Sequence, residues 1–90
     1  AGILITTPPD TYKKRKYKNL STLQVRAQQI DFAVKNNLAY WDLFKVMGGL
    51  GSMGKWGSAG LASKDRVHFS QSGYKMQGQL LFDALMNYYN

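Results

Sequence analysis

Apolar residues fall along this chain in short clusters of different period. Residues 3–6 form a continuous run rich in β-branched side chains, stopped by Pro8-Pro9. The run is too short for a helix, and an unbroken apolar stretch suits a strand covered on both faces, as in a parallel sheet. Residues 8–18 open with prolines and continue polar, which predicts a loop. Leu23, Ala27, Ile30 and Val34 then recur at spacings of four, three and four, with Gln24, Gln28, Asp31 and Lys35 on the other side. Asn19 or Ser21 offers an N-cap, and Asn36-Asn37 can take the left-handed conformation that ends a helix. An amphipathic helix of about four turns, packing that stripe on a sheet, is expected.

Leu38-Ala39-Tyr40-Trp41-Asp42-Leu43 is a second apolar run, β-prone at its aromatic pair. Strand, loop, helix, strand is the order of a βαβ unit with a right-handed crossover. Asp42 falls near the carboxyl end of the second strand, where sites gather in such sheets. It is as well placed to cap the turn at residues 44–47. Residues 48–60 contain six glycines in thirteen positions, which predicts a long irregular connection. The last element starts at Ser70 as N-cap and runs to the end, with Leu81, Leu85 and Tyr88 at helical spacing and Ala84 beside them. Gly78 costs about 1 kcal/mol relative to Ala inside such a helix, which points to a close approach to the sheet.

Composition narrows the class. Ninety residues fit one small domain or part of a larger one, and 44% apolar with 13% aromatic residues argues against disorder. Apolar runs stay far below the 18 residues that a membrane span needs. The absence of cysteine removes disulfides and thiolate metal sites, and one histidine with no glutamate gives no transition-metal ligand set. No cofactor is expected. The first residues lack the charged region and cleavage pattern of a signal peptide. The strand is entered abruptly, as expected of a segment of something longer.

Charge is skewed: twelve Lys and Arg stand against five Asp, for a net +7. Five of those cations lie in Lys13-Lys14-Arg15-Lys16-Tyr17-Lys18, with a further tyrosine at position 12. Such a run can grip phosphates and stack on bases. It reads more simply as a solvated loop, because nothing else in the chain resembles a nucleic-acid-binding motif.

Other patterns fail on chemistry. Gly49-Leu50-Gly51-Ser52-Met53-Gly54 satisfies GxGxxG, and Lys55 extends it toward a P-loop, but Trp56 stands where a magnesium-binding Ser or Thr is needed. A helical turn, not a strand, precedes it, and more glycines follow it, so no helix N-terminus is expected to receive a phosphate. Ser52-x-x-Lys55 and Ser72-x-x-Lys75 lack the companion motifs of penicillin-binding enzymes. Trp41, Trp56 and Tyr40 could stack on a sugar ring, but core packing is the expected use.

Asp65 and His68 remain. The only histidine follows an aspartate by three residues and precedes a helix start by two. An acid and an imidazole fixed on one short turn can orient and charge-balance each other, which is how a general base is built. Arg66 and Phe69 would be positional, available to packing or the rim. No convincing nucleophile accompanies the pair.

The stretch Asp65-Arg66-Val67-His68-Phe69-Ser70-Gln71-Ser72-Gly73-Tyr74, with Gly78 and the apolar helix after it, resembles the final block of the GDSL-type (SGNH) esterases and lipases. The strand-and-proline segment at 3–10 and the strand at 38–43 are also placed as in that family. Residues 54–78 are similar, less specifically, to exported bacterial members acting on acylated sugars. The resemblance implies an α/β fold, the C-terminal part of a three-layer αβα, flavodoxin-like domain with a parallel sheet, spanning residues 1–90. It implies a serine carboxylic-ester hydrolase in which Asp65 and His68 are two members of the catalytic triad, and an exported location, periplasmic or extracellular. The family's nucleophile and oxyanion blocks are absent here, so activity in isolation is not expected. Expected partners are a small-molecule or carbohydrate ester, and either the missing N-terminal part of the domain or a second copy. The rival classes are a non-catalytic carbohydrate-binding or interaction domain and a basic nucleic-acid-binding module.

Overall fold

The computed structural model describes residues 3–14 and 16–89. Ala1 and Gly2 of the opening run, Arg15 of the basic run, Asn90, and the side chains of Tyr88 and Tyr89 lie outside the described residues.

The first apolar run becomes strand β1 (Leu4–Thr6) and the second becomes β4 (Ala39–Trp41). They pair in parallel, with Ile5 opposite Tyr40, as the βαβ order predicts. Helix α1 (Ser21–Lys35) connects them, and Asn37 takes a positive φ of 54° just past its end. The pairing extends one step further where the Thr7 amide donates to the Trp41 carbonyl at 3.0 Å.

Helix α1 is turned relative to the expected stripe. Leu23 and Val34 are exposed, while Thr22 and Ala33 are buried and Arg26, Gln29 and Ile30 are half-buried. The cause is polar. Arg26 forms a bidentate ion pair with Asp42, whose Oδ1 also accepts from the Thr7 hydroxyl at 3.0 Å. The Arg26 guanidinium also lies 5.6 Å from the centre of the Phe44 ring. Drawing Arg26 inward rotates the Leu23 face away from the sheet.

Asp42 is therefore structural. Its side chain accepts from the Lys45 amide and starts helix α2 (Leu43–Met47), the turn-capping alternative rather than a site at the strand's end. Its carboxyl is held below the ordinary carboxylate range, chiefly by the hydrogen bond from Arg26, with burial opposing.

Two segments differ from expectation. Residues 8–18 are not a plain loop: β2 (Tyr12–Lys13) and β3 (Tyr17–Lys18) form an antiparallel hairpin, with Tyr12 opposite Lys18. Residues 48–60 are not an irregular connection either, because helix α3 (Ser52–Ser58) occupies their centre. Two glycines inside one short helix disfavour it by about 1 kcal/mol each. Burial of Met53 and Trp56 in the core offsets that cost.

The core is the cluster Trp41, Leu43, Met47, Met53, Trp56 and Phe69, with the Trp56 indole donating to the Met47 carbonyl at 3.2 Å. Core packing is thus the use of both tryptophans, while Tyr40 stays exposed. Helix α4 (Gln71–Tyr89) lies on this cluster through Leu80, Leu81 and Ala84. Gly78 is not the point of close approach, since a Cβ there would meet nothing within 4 Å. That point is Gly73, where a Cβ would stand 1.8 Å from the Leu61 carbonyl oxygen. None of the described helices is long and apolar enough to cross a membrane.

Candidate active site

Asp65 and His68 sit on a turn closed at both ends by backbone bonds. Ala62 and Phe69 form an antiparallel bridge, the Ser63 amide donates to the His68 carbonyl at 2.8 Å, and the Arg66 amide donates to the Ser63 carbonyl at 3.0 Å. Directly after the turn, the Ser70 amide donates to the Leu61 carbonyl and the Ser70 hydroxyl donates to the Gly60 carbonyl at 2.7 Å. That hydroxyl also accepts from the Gly73 amide, so Ser70 is the expected N-cap of α4. The turn is bolted to the helix that follows and to the end of the helix before it.

Within the turn the carboxylate does two tasks with its two oxygens. Oδ1 of Asp65 accepts from the amides of Val67 at 2.9 Å and His68 at 3.1 Å, an Asx-type closure that fixes the side chain. Oδ2 lies 2.7 Å from His68 Nδ1. The hydrogen bond from His68, then the two backbone amides, hold the Asp65 carboxyl far below the ordinary carboxylate range. An ionised acceptor at this distance selects the tautomer with hydrogen on Nδ1 and leaves Nε2 free to accept. The imidazole is 69% exposed, so that free nitrogen faces an open approach.

The turn's other residues hold it in place. Phe69 is buried edge-on against Trp56, with ring centres 5.3 Å apart, and packs against Tyr74 on its other side. Arg66 has φ +57°, a strained conformation for a non-glycine residue, and its side chain reaches back to α3. Its Nη1 donates to the Gly54 carbonyl at 3.0 Å, and its own carbonyl accepts from the Tyr12 amide at 2.9 Å. A Cβ on Gly54 would come within 2.6 Å of the Tyr12 hydroxyl oxygen, and one on Gly57 within 3.1 Å of Arg66 Nη1. Gly54, which closes the GxGxxG-like stretch, and Gly57 after it therefore clear a seat for Arg66 and Tyr12.

That stretch does open a helix, contrary to expectation, yet it offers no phosphate site. The Met53 amide at the start of α3 already donates to Oδ2 of the fully buried Asp10, at 2.9 Å. The position of Asp10 directly after Pro8-Pro9 carries no sequence signal that it serves a helix forty residues on. No group of three or more potential metal-ligating side chains occurs among the described residues.

Comparison with known proteins adds one strong likeness. A solved structure described as a peptidoglycan O-acetylesterase in action superposes with a TM-score of 0.91 at 33% sequence identity, over 97% of this chain. The fold is that of one part of an esterase. The esterase-like chain spans about a quarter of its neighbour's length, 26%. No family model matches the sequence, and no curated protein matches it. The mixed α/β architecture with a parallel sheet agrees with the expectation drawn from the sequence.

Proposed function

We propose that this chain is the C-terminal part of a GDSL-type (SGNH) serine carboxylic-ester hydrolase and supplies the Asp65–His68 half of its catalytic triad. The observation that carries the reading is the 2.7 Å contact between His68 Nδ1 and Asp65 Oδ2 on a turn whose imidazole is exposed. The likeness to a peptidoglycan O-acetylesterase supports the chemistry and, by the same route, an O-acetylated carbohydrate as substrate and a periplasmic or extracellular location.

In this mechanism a serine hydroxyl supplied from outside the 90 residues attacks the ester carbonyl. His68 Nε2 takes the serine proton as the tetrahedral intermediate forms, then returns it to the departing alcohol oxygen. Asp65 accepts the hydrogen bond from Nδ1–H throughout, fixes the ring's tautomer and stabilises the imidazolium. Water then repeats the cycle on the acyl-serine, releasing the carboxylic acid. The rest of the domain, which brings the nucleophile and the oxyanion donors, also covers the apolar groove of about 820 Å³ lined by Ile3, Leu4, Tyr40, Leu81, Ala84 and Leu85.

The test is turnover of 4-nitrophenyl acetate by the full-length protein. His68→Ala is expected to lower kcat by roughly 10⁴-fold or more, and Asp65→Asn by a comparable factor through the wrong tautomer. Unchanged turnover in folded His68→Ala protein would remove the triad reading.

A further inference from the structure

The hairpin β2–β3 is physically joined to the catalytic turn, and it carries the chain's densest positive charge. Tyr12 makes the joint. Its amide donates to the Arg66 carbonyl, its ring lies under the Arg66 guanidinium, and its hydroxyl donates to the Gly51 carbonyl at 3.1 Å. One tyrosine therefore spans from the Asp65–His68 turn to the glycine-rich loop. Lys13, Lys14, Lys16 and Lys18 of the hairpin are all exposed, as are Lys55 on α3 and Lys64 on the turn itself.

Beside Gly51 the hairpin and the loop enclose a cavity of about 360 Å³, lined by Lys18, Lys55, Gly48, Gly51, Ser52 and Met47 among others. The Lys18 side chain folds over Gly51, where a Cβ would stand 2.9 Å from its Cε and 3.5 Å from its Nζ. Ser52 is 4% exposed, and its hydroxyl has no hydrogen-bond partner among the described residues. A buried hydroxyl without a partner is costly unless something else satisfies it. Two lysine side chains lining one cavity, with an unsatisfied hydroxyl on a third lining residue, are chemically matched to a single anionic group.

We propose that this cavity and the lysine track of the hairpin bind the carboxylates of an anionic glycan strand, and so hold a polymeric ester against His68. The proposal deepens the esterase reading and rests on it for the identity of the bound polymer as substrate. Lys18 and Lys55 would take one carboxylate, with Ser52 donating to the same group. Lys14 and Lys16, in the turn of the hairpin, would meet the neighbouring acidic groups along the strand. Nucleic acid fits less well. Single-strand binding needs successive aromatic platforms, whereas the Tyr12 ring is already occupied by Arg66 and Tyr17 alone stays exposed on the hairpin.

The experiment measures binding, not turnover, so that its failure is distinct from failure of the triad. Full-length protein is sedimented with peptidoglycan sacculi, with sacculi whose carboxylates have been amidated, and, separately, titrated with a 20-nucleotide single-stranded DNA. The wild type is expected to prefer native over amidated sacculi at least tenfold, with the preference shrinking as salt screens the exposed lysines. Lys18→Gln with Lys55→Gln should lose most of that preference, and Lys18→Arg with Lys55→Arg should keep it. Equal binding to native and amidated sacculi, retention of the preference by the glutamine variant, or tighter binding to the DNA than to native sacculi would each overturn the proposal. Turnover of the neutral ester 4-nitrophenyl acetate by His68→Ala reports on the triad whichever way the binding falls.

Discussion

The Arg66 guanidinium stacks on the Tyr12 ring, 5.6 Å from its centre, while the backbone carbonyl of Arg66 accepts from the Tyr12 amide at 2.9 Å. The two residues thus grip each other through both side chain and main chain. Asp65 lies immediately before this double contact and His68 two residues after it. The geometry of the acid–imidazole pair is set by a clamp whose other jaw is the glycine-bearing face of α3.

Removing the clamp should be measurable. Arg66→Ala loses a charge-assisted hydrogen bond and a cation–π contact, together worth about 1–3 kcal/mol at a half-buried site. It also leaves a Cβ in the positive-φ conformation. Arg66→Gly loses the same contacts but relieves that strain, so it should be the more stable of the two. Urea unfolding of the full-length protein checks the order: wild type above Gly, Gly above Ala. An Ala variant as stable as wild type would show that the clamp contributes nothing.

Three glycines make opposite predictions under the same substitution. Gly78→Ala places a methyl in open space on α4 and should stabilise by about 0.5–1 kcal/mol through helix propensity. Gly54→Ala gains the same propensity but drives a Cβ to 2.6 Å from the Tyr12 hydroxyl oxygen, so it should be net destabilising. Gly73→Ala meets the Leu61 backbone carbonyl at 1.8 Å and cannot be accommodated without moving the start of α4 away from the Asp65–His68 turn. Thermal unfolding midpoints should rank Gly78→Ala above wild type, then Gly54→Ala, then Gly73→Ala.

Local pattern carried much of this architecture. Both strands, both long helices, the Ser70 cap and the pairing of Asp65 with His68 follow from short-range periodicity and spacing. Two departures were decided by long-range polar contacts, which leave no periodic trace. Helix α1 turned because Arg26 met Asp42 sixteen residues away. Helix α3 formed across a glycine-rich stretch because Asp10 caps it from forty-three residues upstream. The hairpin at residues 12–18 is two residues per strand, too short for an alternation to register. The glycines alone predict an irregular connection, because the room that Gly54 and Gly57 leave for Arg66 and Tyr12 exists only in the folded arrangement.

The Arg26–Asp42 pair gives a prediction for acid. A carboxyl held below its ordinary range stabilises the fold at pH values above its unfolded pKa, about 3.9. That contribution is lost as pH falls through the lower folded value. Asp42→Asn should therefore be less stable than wild type near neutrality and should flatten the loss of stability between about pH 5 and pH 2. Asp65, held low in the same sense by His68, adds to the wild-type acid limb. Parallel acid limbs for Asp42→Asn and wild type would exclude the pair as a source of the dependence.

The 90-residue chain exposes more surface than a compact protein of its mass. Its accessible area is 6311 Å², against about 5300 Å² for a compact globular protein of 10.2 kDa. Its radius of gyration is 13.7 Å, against about 12 Å for a compact chain of this length. Large apolar side chains contribute to that surface: Leu4 on β1 with Ile3 just before it, Phe32 and Val34 on α1, and Phe82 and Met86 on α4 are all exposed. An open strand edge flanked by such faces is a template for further pairing. Expressed as these 90 residues alone, the chain should self-associate, and light scattering should give an apparent mass that rises with concentration above 10.2 kDa. Under the proposed esterase reading, co-expression with the rest of that domain should abolish that rise, because its strands and helices would occupy the same faces. A monodisperse monomer with cooperative unfolding would instead mean that these faces are tolerated in water, and that the chain folds as a unit of its own.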